Sequence, residues 1–505
     1  LTLDANGNLT YVANNNSNTK TPSITAKDNI LIAATNNFNN NSANISAGNN
    51  LVISAGNNFN VANSNTNYSG LKSNFNASNI AINAANANIN NLELGANNLI
   101  LDIDNNLNLQ SSNITSNDIY LSNLKGFAKI DNSNINTNSS LNINAVGNVD
   151  VLASNIKADG LQISSGNNVS IEKSSINSQG DAIISSAKNL TLTNSSLNAQ
   201  GLIVDSGANL NINKSNLQTT SATEGYLQIS AKNNLDLNNS NIDSNTAYIS
   251  AGNNINLNDN NIDTNITSIA AGKNINLLGN NINAADTLQI AAGGDLNIAT
   301  RQTTTTSSSS KTSGRSTQTT NSTTTTNSGF NSLSGGNIAL SSGGDTNITA
   351  ANLNADNTLQ IDAGGNLNIK SATDVTNTEV KSSQQIRFFH KVLSRQSTTK
   401  TTQNKETATT LNAGNIYLSS GNQLSVTGAK INTNDLIATA QGQITFRKNQ
   451  SKTTGTLALI NERGFVNSAS TTQSQPQSAA AKSPSLASGS TGAANIVYEA
   501  GQVQD

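Results

Sequence analysis

The sequence predicts an all-β fold, a parallel, right-handed β-helix solenoid, and three observations carry that prediction. Residues 148–298 repeat at steps of 20 or 21 residues, broken only by an insertion of about five residues around Glu224. A fixed period of this size marks a solenoid. Within each repeat apolar residues alternate with polar ones, as in LNINKSNL, which is the period of a strand with one buried face. Between the alternating stretches lie Asn, Gly and Ser, residues that tolerate the tight and left-handed backbone of corners.

Three apolar columns define the coil. The first holds pairs, Val149/Val151, Val169/Ile171 and Leu190/Leu192, running on to Leu296/Ile298. The second runs from Ile156 and Ile176 to Ile282, and the third from Ile163 and Ile184 to Ile290. Each coil of about 20 residues therefore has three short strands. Stacked coils place like residues above one another, so Leu and Ile form a dry core and corner Asn residues form amide ladders. Across the chain this grammar gives about 19–20 coils and, at about 4.8 Å per coil, a rod on the order of 90–100 Å.

Composition agrees with a narrow prism. Aromatic residues make up 3 % of the 505 residues and Trp is absent, so a bulky globular core is excluded. Charged residues are 11 % and the net charge is −2, which gives no electrostatic basis for nucleic acid or an anionic membrane as partner. The longest apolar run, Ile30 to Ala34, is far too short to span a membrane. Absence of cysteine excludes disulfides, Cys-bound metals and thiol catalysis, and suits an exported chain. With no Met and no signal peptide at its start, the sequence reads as an internal piece of a longer polypeptide.

Taken in order, residues 1–298 read as rod repeats. Residues 1–147 follow the grammar loosely (NISAGNNLVISAGNNFNVA), with an insertion expected at 63–75. Residues 299–446 are coils interrupted by two Ser/Thr-rich excursions, 299–333 and 371–411. Ile298 and Ile369 belong to the first column, whereas Ile338/Leu340 and Ile416/Leu418 match the third, so both excursions leave after the first strand and replace the second-column corner. A third departure follows Phe446 at the same phase. Exits at one phase are expected to stack along one edge, and insertions on one face of a solenoid often form its binding face. Thr favours strands, which makes the excursions extended hairpins; the other reading of a Ser/Thr tract is a solvated, flexible loop. Residues 447–505 read as a departure, a short stretch at 456–466 suited to capping the last coil, and a Pro/Ser/Ala-rich linker holding Pro476 and Pro484.

Little here suggests catalysis. The best carboxylate pairs are Asp243 with Asp263, expected on adjacent coils, and Asp102 with Asp104 on one strand; neither has Arg or His nearby, and both read as turn or surface carboxylates. The triplets GGD at 293–295 and 343–345 lack the nine-residue spacing of a calcium β-roll and read as tight corners. The expectation is no enzyme, no catalytic or metal site, no cofactor and no small-molecule substrate. The segment QQIRFFHKVLSRQ (384–396) is the one basic, aromatic stretch. On a helix, Phe388, Phe389, Val392 and Leu393 would share a face, with Arg387, Lys391 and Arg395 opposite. Arg387, Phe388, Phe389, His390 and Lys391 are therefore the candidate partner contacts, the alternative being that the Phe residues pack on the side of the β-helix.

SSGGDTNITAANLNADNTLQIDAGGNLNIKSA and LNAGNIYLSSGNQLSVTGAKINT resemble the repeats of the filamentous haemagglutinin family, the large exoproteins of two-partner secretion systems. The resemblance spans roughly residues 20–446. The Thr-rich breaks followed by AGGNLNI-type coils are similar to the second repeat region of contact-dependent growth inhibition effectors. The sequence departs from many relatives in using Asn where they use Ala, Asp and Gln. The resemblance implies export through an outer-membrane two-partner secretion transporter and a secreted or bacterial cell-surface location. It implies contact with a surface receptor on a bacterial or host target cell. The expected role is an elongated stalk for cell contact and delivery of a C-terminal toxin to neighbouring bacteria; the alternative is an adhesin without toxin, binding host cells or mediating aggregation.

Overall fold

Alternation in the sequence becomes three ladders of parallel strands in the computed structural model. It describes residues 2–3, 9–12, 23–62, 72–221, 223–388, 391–447, 454–461, 464–472 and 496–499, with side chains described for 23–62, 72–221, 223–382 and 398–447. Every regular element among the described residues is a β-strand. The chain divides into two compact units, Leu1–Ile255 with Asp263–Ser268, and Asn256–Ile262 with Ile269–Asp505.

In the first unit the three columns are the three ladders. Val149 is the register partner of Val169, Val169 of Leu190, Leu190 of Leu210 and Leu210 of Leu235. The second column steps from Ile156 through Ile176, Leu197 and Leu217 to Ile242. The third steps from Ile163 through Ile184, Val204 and Ile229 to Ile249. Burial alternates along each strand, so the column residues are buried while their neighbours face outward. The looser N-terminal repeats obey the same register, Ile30 with Leu51, Leu51 with Ile80 and Ile80 with Leu99. Phe38 and Phe59 stack there with centroids 5.5 Å apart, and Phe75 meets Phe59 edge-on at 6.2 Å. Of the insertion expected at 63–75, residues 63–71 lie outside the described residues. Its end is no insertion: Ser73–Asn76 is a ladder strand, with Phe75 paired to Ile45 and fully buried.

Corners are held by polar ladders of two kinds. Asn148, Asn168, Asn189, Asn209, Asn234 and Asn254 form the amide ladder expected from the sequence. Each carboxamide oxygen accepts the backbone N–H of the next Asn, at 3.4, 3.1, 3.2, 3.3 and 3.3 Å in turn. The corner between the first and second columns carries a buried serine ladder that the sequence pattern does not announce. The N–H groups of Ser112, Ser133, Ser154, Ser174, Ser195 and Ser215 each donate to the hydroxyl of the serine one coil on, at 3.0–3.2 Å. Each hydroxyl donates in turn to the carbonyl two residues before it, as Ser154 does to Leu152 at 2.7 Å. Buried main-chain groups are thereby satisfied without water. The residue before each serine has a positive φ, even where it is Ala153 (47°), Lys173 (51°) or Lys214 (51°). Left-handed backbone costs an L-residue roughly 1–2 kcal/mol. The stacked hydrogen bonds, not the side chain at that position, hold the corner open.

The second unit repeats the scheme. Ile275, Leu296, Thr346, Leu367, Leu424 and Ile444 follow one another in the first ladder. Ile282, Leu333, Leu353, Leu411 and Ile431 form the second, and Ile290, Leu340, Ile361, Leu418 and Ala438 the third. At the serine corner the buried residue becomes Asn: Asn260 N–H donates to the Asn280 carboxamide oxygen at 3.1 Å and Asn280 N–H to that of Asn331 at 3.0 Å. Both excursions are inserted into this corner. They do not replace the second-column strand, because Leu333 and Leu411 still fill it; without them the core would hold a Leu-sized gap. The third departure falls on residues 448–453, outside the described residues. Beyond it Thr454–Asn461 pairs in parallel with Asp435–Ala440, Gly464–Thr472 folds back antiparallel on that strand, and Ile496–Glu499 pairs with Ile444–Arg447.

Candidate functional site

Each excursion is a long β-hairpin, and the two hairpins join. Strands β1 (Arg301–Ser313), β2 (Ser316–Ser328), β3 (Ala372–Phe388) and β4 (Lys391–Thr407) form one antiparallel sheet in that order, separate from the ladders. β1 and β2 run in unbroken register from Arg301↔Ser328 to Ser313↔Ser316. Gly314 lies at the first position of the two-residue turn with φ of 57°, the backbone that a tight hairpin requires there and that glycine adopts without strain. The Thr and Ser tracts hydrogen-bond across the pair, Thr304 with Thr325 at 3.1 Å and Ser308 to Asn321 at 2.7 Å.

The base of the sheet is pinned to the coils. Arg301 donates to the Asp259 carboxylate at 2.5 Å. Asn331, just past β2, donates its amide to the carbonyls of Leu277 (3.1 Å) and Ala299 (2.8 Å), closing the corner beneath the first hairpin. Beneath the second, Ser371 donates to Glu406 at 3.1 Å and Thr409 to the Lys370 carbonyl at 2.6 Å.

One carboxylate ties the hairpins together. Asp374 on β3 accepts both the backbone N–H of Asn327 (2.6 Å) and its side-chain amide (3.0 Å), while the same amide donates to the Thr373 carbonyl at 2.9 Å. These hydrogen bonds, the backbone N–H first, hold the Asp374 carboxyl below the usual carboxylate range, with Lys405 adding to the effect. Further out, Glu379 pairs with Lys381 at 3.0 Å and with Lys400 at 3.6 Å. Its carboxyl is likewise lowered, chiefly by the hydrogen bond from Lys381.

The sheet differs from the coils in charge. Residues 299–333 and 371–411 hold nine Lys and Arg against three Asp and Glu, in a chain whose net charge is −2, so the basic character of the protein is concentrated here.

Of the candidate contacts, Arg387 and Phe388 end β3 and Lys391 begins β4; Phe389 and His390, between them, lie outside the described residues. The helical reading of 384–396 is overturned. Ile386 is the register partner of Leu393, Arg387 of Val392 and Phe388 of Lys391. A β3–β4 pairing that starts at Ala372↔Thr407 continues to the tip, and its main-chain hydrogen bonds outweigh the helical spacing of four apolar residues.

The other candidates are surface groups. Asp243 and Asp263 face outward, and Asp243 accepts the Gln218 amide at 3.1 Å. Asp102 accepts the Asn83 amide at 2.9 Å, and Asp104 lies 3.6 Å from Lys125. The two GGD triplets are corners. Asp295 accepts the N–H of Asp345 at 2.8 Å and Asp345 that of Asn366 at 2.7 Å, so both carboxylates cap main chain one coil on.

Asp259, Asn327, Asn331 and Asp374 are absent from the residues singled out in the sequence. The signal available was two Thr/Ser tracts of equal length on either side of Gly314; pairing between excursions leaves no local mark.

The Hemagglutinin repeat family matches residues 171–314 and 312–386. Comparison with curated proteins and with solved structures returns no match. Residues 171–386, which contribute coils to both units and strands to the hairpin sheet, thus match haemagglutinin repeats, and the match supports the resemblance to the filamentous haemagglutinin family over that span.

Proposed function

We propose that this β-helical repeat region belongs to a secreted bacterial surface exoprotein that leaves the cell through an outer-membrane two-partner secretion transporter. The paired hairpins meet a receptor on the target cell, and the chain presents a C-terminal toxin to neighbouring bacteria. The observation that carries the reading is the placement of both hairpins at the same corner of coils two steps apart, joined by Asn327 and Asp374 into a single projecting sheet. A solenoid whose insertions sit on one face commonly binds with that face. The basic character of the sheet favours an anionic target surface.

A second reading, an adhesin with no toxin, draws on the haemagglutinin repeat itself. A contact co-culture separates the two. Bacteria displaying the full-length parent protein are mixed with unarmed siblings, with and without a porous barrier. Loss of sibling viability only on contact supports toxin delivery; clumping or host-cell attachment without killing supports the adhesin.

A further inference from the structure

We propose that the free edge of the hairpin sheet, strand β1, pairs with the same edge of a second copy of this chain, so that two four-stranded sheets become one of eight strands. The proposal does not depend on whether the parent protein carries a toxin.

β1 is the outermost strand of the sheet and pairs only with β2 among the described strands. All of its residues, Arg301 to Ser313, are exposed. Open edges are templates for pairing with another chain, and proteins that avoid this shorten the edge or place Pro, bulges or charges on it. β1 has neither proline nor bulge. Its charges are Arg301, whose guanidinium is directed to Asp259, and Lys311 beside the turn. From Gln302 to Ser310 it is uncharged. The opposite edge, β4, carries Lys391, Arg395, Lys400, Lys405 and Glu406 along its length. One edge is guarded by charge and the other is left open.

An unpaired row of N–H and C=O groups is satisfied by another strand, and charge selects which. Pairing β1 with β4 of another copy would set Lys311 against a basic edge and would repeat without closing. Pairing β1 with β1 antiparallel closes after two copies. With the two-fold axis at Ser307, Lys311 falls opposite Thr303 and Arg301 opposite Ser313, so no like charges meet. Thr304, Thr305 and Thr306 fall opposite Ser310, Ser309 and Ser308, setting larger hydroxyl side chains against smaller ones.

The backbone phase agrees. Ser313 and Ser316 flank the two-residue turn, so their pair is a hydrogen-bonded one and the odd-numbered residues of β1 direct their main-chain groups to β2. The even-numbered residues, Gln302 to Thr312, therefore point theirs outward. Centred on Ser307, they exchange about twelve hydrogen bonds across the axis, against roughly ten in an ordinary protein interface.

The absence of native cysteine makes the register testable in the full chain. Ser307→Cys places two thiols in a non-hydrogen-bonded pair with Cα atoms about 4.5 Å apart, within disulfide reach. Thr303→Cys leaves its two thiols roughly 26 Å apart along the strands. Mild oxidation is expected to give a covalent dimer from Ser307→Cys and none from Thr303→Cys. Sedimentation of the uncrosslinked chain is expected to show a dimer. The double variant Thr305→Lys with Ser309→Lys, which sets lysine against lysine, is expected to be a monomer with unchanged β circular dichroism. A wild-type chain that stays monomeric, equal crosslinking at both positions, or a dimer that survives the double lysine variant each overturns the proposal.

Discussion

Asn331 accepts the backbone N–H of Asn280 at 3.0 Å although 51 residues separate them. An entire hairpin lies between the two, yet the corner continues as if consecutive coils were joined directly. Asn331 also receives the Asn280 side-chain amide at 3.2 Å and donates to two carbonyls, so a single buried side chain closes the corner on which the hairpin stands. Asn331→Ala orphans these groups and is expected to lower stability by about 2 kcal/mol. Asn331→Ser supplies the acceptor that Ser174 supplies to Ser154 and is expected to cost less. Denaturant unfolding of the full chain decides it; equal losses from the two variants would mean that volume, not the hydrogen bonds, matters at this corner.

Close stacking makes a second expectation specific. A Cβ on Gly343 would lie 2.3 Å from the Gly293 carbonyl oxygen, and Gly343 in turn lies beneath Gly364. Backbone cannot yield as a side chain does, so Gly343→Ala is expected to cost about 1–3 kcal/mol by overpacking. Gly95 is the control. It lies in a strand with nothing within 4 Å of its would-be Cβ. Gly95→Ala is expected to be neutral, or to stabilise by about 0.5 kcal/mol through the unfolded chain. Thermal unfolding of the two variants side by side tests the contrast, and similar midpoints would contradict it.

The three ladders were legible because each column is a repeating apolar residue with period-two alternation around it. Val149, Ile156 and Ile163 stand in the ladders where their sequence pattern puts them. The exit of the excursions was legible for the same reason, since Ile298 and Ile338 fix the phase on either side. Three things were not. The serine ladder hides in a chain rich in Ser, where Ser154 and Ser174 look like any corner polar residue until their hydroxyls are found buried. Left-handed corners at Ala153 and Lys173 are imposed by stacking and have no residue signature. The pairing of Asn327 with Asp374 joins two excursions across an intervening stretch of coil, and nothing local to either sequence encodes it. The strand at 384–388 was misread as helix because apolar spacing was weighed without the partner strand that settles it.

Acid is expected to loosen the join between the hairpins. The Asp374 carboxyl is lowered from its ordinary value of 3.8, because its charged form accepts two hydrogen bonds from Asn327. A lowered carboxylate contributes fully above the unfolded-state value and loses its contribution as pH falls through the folded-state value. The join is therefore intact at neutral pH and weakens only at pH below about 3.8. In a pH titration by NMR, the backbone N–H resonance of Asn327 is expected to shift with a midpoint below that value, and Asp374→Asn to abolish the transition. A midpoint at or above the ordinary carboxylate value would show that the charge of Asp374 is not what Asn327 holds.

Where an excursion is cut determines what its removal tests. Deleting residues 301–328 leaves Ala299, Thr300, Gly329 and Phe330 to turn a corner that Leu278 and Gly279 turn one coil earlier, and it keeps Asn331 and Leu333. The ends already lie side by side, since Arg301 and Ser328 are register partners. The same holds for residues 372–407, where Ala372 pairs with Thr407 and Leu411 is retained. Both deletions together are expected to leave the parallel ladders folded, with unfolding midpoints close to wild type. Deleting 299–333 instead removes a fully buried Leu and the Asn331 cap, and is expected to cost at least the 2–5 kcal/mol of a Leu-sized cavity. With the fold preserved in the shorter deletions, a target-cell binding assay reads the hairpins alone. Weakened binding is expected; binding at wild-type strength would show that contact is made by the coils and not by the sheet they carry.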